Sequence, residues 1–126
     1  MITADQIVIH AIGDYVLQSN WMATEKTRRS VAALVHVVTY SLPFLLFKPS
    51  VIALVVIAGT HFVIDRWRLA RHVVWLKNLV GPYRPWAECS TTGYPPEPPP
   101  WLAVWLMIIV DNLLHILING LALKYL

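Results

Sequence analysis

Seven residues able to hold a metal ion or move a proton recur at helical spacing inside stretches that are otherwise apolar. His10-x-x-x-Asp14, His61-x-x-x-Asp65 and Asp111-x-x-x-His115 each set an imidazole and a carboxylate four residues apart, which puts both on one helix face, one turn from each other. His36 adds a lone imidazole within LVHVVTY. An ionisable side chain in an apolar segment is costly unless it meets a partner or a cavity, so groups placed this way predict one shared site. Imidazole nitrogen and carboxylate oxygen without thiolate suit Zn, Mn or Fe. One ion would take three or four ligands, and the full set has room for two at ~3.5–4 Å, a spacing at which paired ions activate water and clamp a phosphoryl or acyl transition state. The candidate metal ligands are thus His10, Asp14, His36, His61, Asp65, Asp111 and His115, with Asp14, His61 and Asp65 the candidate catalytic residues. Gln18 and Asn112 are expected to orient the ligands from behind, and Tyr40 and Asn119 are of a suitable type. Two plainer readings of the pattern stay open: inter-helical hydrogen bonds that only fix a bundle, and a proton or ion path.

The elements that must position these groups are helices. Of 126 residues, 57% are hydrophobic and 13% charged, far from the roughly one-quarter charged of ordinary soluble domains. Four helices follow, near residues 4–22, 31–47, 50–78 (apolar to about Ile64, then basic and amphipathic) and 101–123, whose apolar lengths straddle the ~20 residues that span a ~30 Å bilayer core, the third extended by snorkelling arginines. The expectation is an all-α fold: one integral membrane domain over 1–126, a bundle of about four transmembrane helices. At ~1.5 Å per residue, Asp14 and His36 fall on the order of 10 Å deep, His61 and Asp65 somewhat shallower and Asp111 around 15 Å, an overlap within one leaflet that allows several helices to close on one centre. Pro43 is expected to kink the second helix. The proline-rich run 81–100 is expected to be an extended loop, either a linker or a lid.

The net charge of +3 is local. Lys26, Arg28 and Arg29 lie in the first connection, and Arg66, Arg68, Arg71, Lys77 and Arg84 in the third, against Lys48 alone in the second. The positive-inside rule then sets the first and third connections of a multi-pass protein on the cytoplasmic side, with both termini outside. Basic residues interleaved with tryptophan, as in RWRLARHVVWLK, point to membrane lipids as partners and not to nucleic acid. Arg66, Arg68 and Arg71 are the candidate headgroup-binding residues, and a homo-oligomer is compatible with the pattern. Cys89 has no second cysteine with which to form an internal disulfide. The start MITADQIVIH lacks a basic region and a cleavage site, so the first apolar stretch is expected to stay as structure. No GxSxG elbow, HExxH or phosphate loop occurs, which removes support for serine nucleophilic catalysis.

HAIGDYVLQSNWMATEK, the lone His36, GTHFVIDRWR and VDNLLH together resemble the domain-of-unknown-function 3307 family of small bacterial and phage membrane proteins. The likeness covers nearly the whole chain, with Asn112 standing where the family carries a glutamine. The motif order is also distantly similar to bacterial membrane-bound metal-dependent hydrolases. These resemblances imply weight for the His and Asp positions and a bacterial inner (cytoplasmic) membrane, but no substrate. Three functions follow as expectations: a membrane-embedded metal-dependent hydrolase acting on a lipid or phosphate ester near the cytoplasmic leaflet, a non-catalytic phage or bacterial membrane interaction protein, and an ion- or proton-conducting subunit.

Overall fold

The computed structural model describes residues 2–126. Every regular element among them is helical. Helix α1, Ala4–Ala11, starts where the Thr3 hydroxyl accepts from the Gln6 N–H, satisfying a donor the first turn leaves open. It passes directly into a π-helical turn, Ile12–Val16. Ser19 then caps the short α2, Asn20–Glu25, by accepting from Met22 N. Helix α3, Ser30–Ser41, tightens into a 3-10 turn, Leu42–Phe47, whose Pro43 lacks the N–H that would continue the α ladder. Lys48 turns the chain with a left-handed φ of 49°, and α4, Val51–Trp67, follows. Helices α5, Ala70–Asn78, α6, Trp86–Cys89, and α7, Pro100–Tyr125, complete the described chain.

Four spans are not built. Among the described residues, two helical stretches are long and apolar enough to cross a membrane, Ser30–Phe47 and Pro100–Tyr125. The expected first span breaks after eight α-helical residues and a π turn, with Ser19 starting a new helix; at ~1.5 Å per residue α1 covers about 12 Å, well short of a bilayer core. The expected third span over 50–78 breaks at Arg68, whose φ of 52° ends α4 and forces α5 to begin afresh. The integral four-helix membrane bundle is therefore corrected to an all-α fold with seven α-helices among the described residues and a buried His/Asp cluster in its first compact unit. The inner-membrane placement with outward termini, and the membrane-embedded functions drawn from it, fall with those spans.

The described chain packs as two compact units. The first comprises the chain up to Trp67 together with His115–Leu126; the second is Arg68–Leu114. In the first, Ile9, Tyr40, Phe44, Ala53, Ile57 and Ala122 form the apolar core, while Leu46, Val51 and Ile52 point outward. The core is thus narrow, and its polar centre accounts for much of what is buried. In the second unit, Arg68 donates to the Thr91 carbonyl at 3.1 Å and Arg71 to the Ser90 carbonyl at 3.0 Å, tying the loop back onto α5. That loop is less irregular than its prolines suggest. Trp86–Cys89 follows Pro85 without an internal proline, so one helical turn fits.

Close approach of the π turn to α3 depends on Gly13. A Cβ there would lie 2.8 Å from both the Tyr40 carbonyl oxygen and Tyr40 Cδ2, and backbone cannot give way as a flexible side chain can. Gly59 shows the opposite case, since a Cβ there would meet nothing within 4 Å. Gly13→Ala is expected to lower stability by about 1–3 kcal/mol, read as a reduced urea midpoint, with Gly59→Ala near neutral; equal effects would refute the contact.

Candidate metal centre

Four side chains from three elements of the first unit converge. The π turn supplies Asp14, α3 supplies His36, and α4 supplies His61 and Asp65 from one face, as their four-residue spacing predicts. All four are buried, and one ligand atom from each lies within 4.8 Å of the others. His36 Nε2 stands 3.2 Å from Asp14 Oδ1, 3.3 Å from Asp65 Oδ2 and 3.0 Å from His61 Nε2. His61 Nε2 lies 3.2 Å from Asp65 Oδ2 and 3.8 Å from Asp14 Oδ1. Four donors around a zinc-like ion at ~2.0–2.1 Å sit roughly 3.3 Å apart along the edges of a tetrahedron. The donor set therefore has the size and chemistry of a divalent-ion site.

The far oxygen of each carboxylate also faces a histidine. His115 Nε2 approaches Asp65 Oδ1 at 3.2 Å, and His10 Nε2 approaches Asp14 Oδ2 at 3.9 Å. Behind His10, Asn119 Nδ2 donates to the Tyr40 hydroxyl at 2.6 Å, and that hydroxyl lies 2.8 Å from His10 Nδ1. With its oxygen accepting from Asn119, the Tyr40 O–H can donate to His10 Nδ1, which leaves the His10 proton on Nε2, toward Asp14. The Tyr40 ring stacks on His61 with centroids 3.7 Å apart and planes at 18°, holding that imidazole against the opposite wall. His10 and His115, both expected as ligands, thus face the far oxygens of the two carboxylates. The outer nitrogens of the inner pair, Nδ1 of His36 and of His61, are buried without hydrogen-bond partners.

Lys26, counted in the sequence as a loop charge, enters this centre. Its Nζ is 2.6 Å from Asp65 Oδ2, 3.7 Å from Asp14 Oδ1 and 3.4 Å from His36 Nε2. The other expected site residues are not among these four donors. Asp111 lies in the second unit, one turn before His115 along α7. Asn112 donates to the Ile108 carbonyl of its own helix, and Gln18 Oε1 is buried without a partner. Arg66, expected at a lipid headgroup, donates instead to the carbonyls of Thr27 at 2.7 Å and Arg28 at 3.1 Å, while Arg68 and Arg71 hold their own loop. Tyr40 and Asn119, by contrast, do reach these groups, through the ring stacked on His61 and the hydrogen bonds that lead to His10. Lys26 had no sequence signal beyond following the first apolar segment directly.

Burial and pairing pull these groups in opposite directions. Burial alone would raise the Asp14 carboxyl, but its hydrogen bond with His36 and the charges of Lys26 and His61 outweigh it and bring the pKa down to about 2. Burial likewise works to raise Asp65, and the His61 ring beside it, with hydrogen bonds from His115, His36 and His61, holds it well below the usual range. For His61 burial wins over the Asp65 carboxylate, and the pKa falls to about 4. For His36 burial is overcome by hydrogen bonds to Asp14 and Asp65, so its pKa is raised.

A buried all-helical centre of two imidazoles and two carboxylates defines a candidate metal-binding protein. The chain matches the family described as Protein of unknown function (DUF3307) over residues 2–124. It belongs to that family. No curated protein and no solved structure matches it, so the distant likeness to membrane-bound hydrolases has no support.

Linkage gives this centre a pH optimum in the metal-free state. Between ~6.5 and about 4 the unfolded His61 binds a proton that the folded one does not, so stability falls as pH drops through that window. His36, with a raised pKa, contributes stability that is present below ~6.5 and lost as pH rises through its folded value. Toward still lower pH the two carboxylates lose their pairing in turn. Chelator-treated protein is expected to show its highest denaturation midpoint near pH ~6.5, with a His61 ring resonance titrating near about 4. A midpoint that rises steadily from pH ~5 to ~8 would contradict this.

Proposed function

We propose that the protein binds one divalent transition-metal ion through Asp14 Oδ1, His36 Nε2, His61 Nε2 and Asp65 Oδ2. The observation that carries this reading is the 3.0 Å approach of two imidazole Nε2 atoms, with both carboxylates closing on the same point. Alone, the two Nε2 atoms could share at most one proton in a single hydrogen bond, whereas a cation between them takes a lone pair from each. Tetrahedral spacing and mixed N/O chemistry favour zinc, with manganese or iron next. His10 and His115 would then orient the two carboxylates, the usual task of groups that flank metal ligands.

Metal-dependent hydrolysis is the second reading. It is favoured by the position of Lys26, whose side chain keeps 16% of its surface exposed against 0–7% for the four donors, so one side of the centre opens outward. Hydrolysis also needs a coordination position not filled by protein. Four-coordinate zinc would leave none; six-coordinate manganese or iron would leave two. Asp14, His61 and Asp65 each direct an atom into the donor set, which supports them as ligands ahead of a separate acid or base role.

Elemental analysis of the purified protein tests the first reading, with about one equivalent of metal expected. Zinc at one hundred times its dissociation constant should stabilise the stripped protein by about 2.7 kcal/mol, visible as a higher melting temperature. Asp65→Asn should abolish that increase. A melting temperature indifferent to zinc, manganese and iron would refute the assignment.

A further inference from the structure

The geometry points to Lys26 as the centre's own cation, which a metal ion must displace in order to bind, so that Lys26 sets the site's requirement for a doubly charged ion. This rests on the four-ligand reading above and adds the residue that governs occupancy. The ammonium reaches three of the four donors, with Nζ 2.6 Å from Asp65 Oδ2, 3.4 Å from His36 Nε2 and 3.7 Å from Asp14 Oδ1. An ion bonded to Asp65 Oδ2 at ~2.0–2.1 Å would stand no more than about 4.7 Å from that nitrogen. Like charges so close in a site largely closed to water repel strongly. They also compete for one carboxylate oxygen.

The mount of Lys26 suits release. It closes α2 as the C-cap residue, with its N–H on the Met22 carbonyl, and the next turn is gripped separately by Arg66 at the carbonyls of Thr27 and Arg28. Consecutive residues of α4 thus divide the work: Asp65 holds the Lys26 side chain, and Arg66 holds the backbone after it. The ammonium can therefore swing outward, toward the side where it is already partly exposed, while the turn stays anchored. A monovalent ion brings no more charge than the ammonium it would replace and gives up its hydrogen bonds. A divalent ion brings twice the charge and takes lone pairs from both imidazoles.

The test uses the full chain, stripped with chelator and titrated with zinc against a chromophoric competitor. Lys26→Met should bind zinc about tenfold more tightly or better, a ratio equal to about 1.4 kcal/mol, while Lys26→Arg, which keeps the charge, should not. Unchanged affinity in Lys26→Met would overturn the exchange while leaving the metal centre intact. Weaker binding would overturn it too, since Lys26 would then be a support for Asp65. Should Lys26→Met fail to fold, the wild-type chain decides the matter through acylation of its lysines, followed by mass spectrometry. Lys26 should be modified severalfold faster with zinc than without, and equal or slower modification would overturn the proposal. If neither protein binds zinc, the metal reading falls and this one with it.

Discussion

Two ionised carboxylates buried in a small helical core constrain everything around them. An uncompensated charge in such a place costs several kcal/mol at the least, and Asp14 and Asp65 are each about 5% exposed. The first unit is organised to answer that cost. Imidazoles meet both oxygens of each carboxylate, an ammonium enters from the turn after α2, and aromatic packing walls the rest off from water. A narrow apolar core tolerates so many polar groups because nearly every one has a partner.

The backbone irregularities serve the same constraint. A regular α-helix through residues 12–16 would aim Asp14 by the 3.6-residue period; the π turn widens that step and seats Gly13 against the Tyr40 carbonyl. Single π turns inside α-helices often mark functional positions, and this one carries a donor. On the other side, α3 stays regular through His36 and Tyr40 and tightens only afterwards, so the residues that touch the centre sit on its straight part.

Spacing made the α4 pair legible, because four residues on an uninterrupted helix leave His61 and Asp65 no choice but to share a face. His36 was legible as the lone polar group of an apolar run. Asp14 was legible from its four-residue spacing to His10, a pairing that survives at 3.9 Å although the helix passes into a π turn between them. Helix breaks were not legible: Ser19 and Arg68 end apolar segments through a cap and a left-handed φ, neither of which hydropathy records. Reading those segments as unbroken produced the four spans that the fold does not contain. The partners of the centre that lie far apart in sequence, Lys26 with Asp65 and Asn119 with Tyr40, depend on tertiary closure and leave no local periodicity. Arg66 misled for a related reason, since a basic residue beside tryptophan looks the same whether it meets a lipid or a carbonyl.

The donors are scattered along the chain, and this has a topological consequence. Asp14 and His36 are 22 residues apart, His36 and His61 are 25 apart, and Asp65 and His115 are 50 apart. Any particle that gripped the inner four at once would staple two loops together and remove conformational freedom from the unfolded chain, as a covalent cross-link does. With Cys89 the sole thiol, the chain cannot cross-link itself through sulfur. Coordination is the staple that its converging His and Asp side chains would offer in place of sulfur.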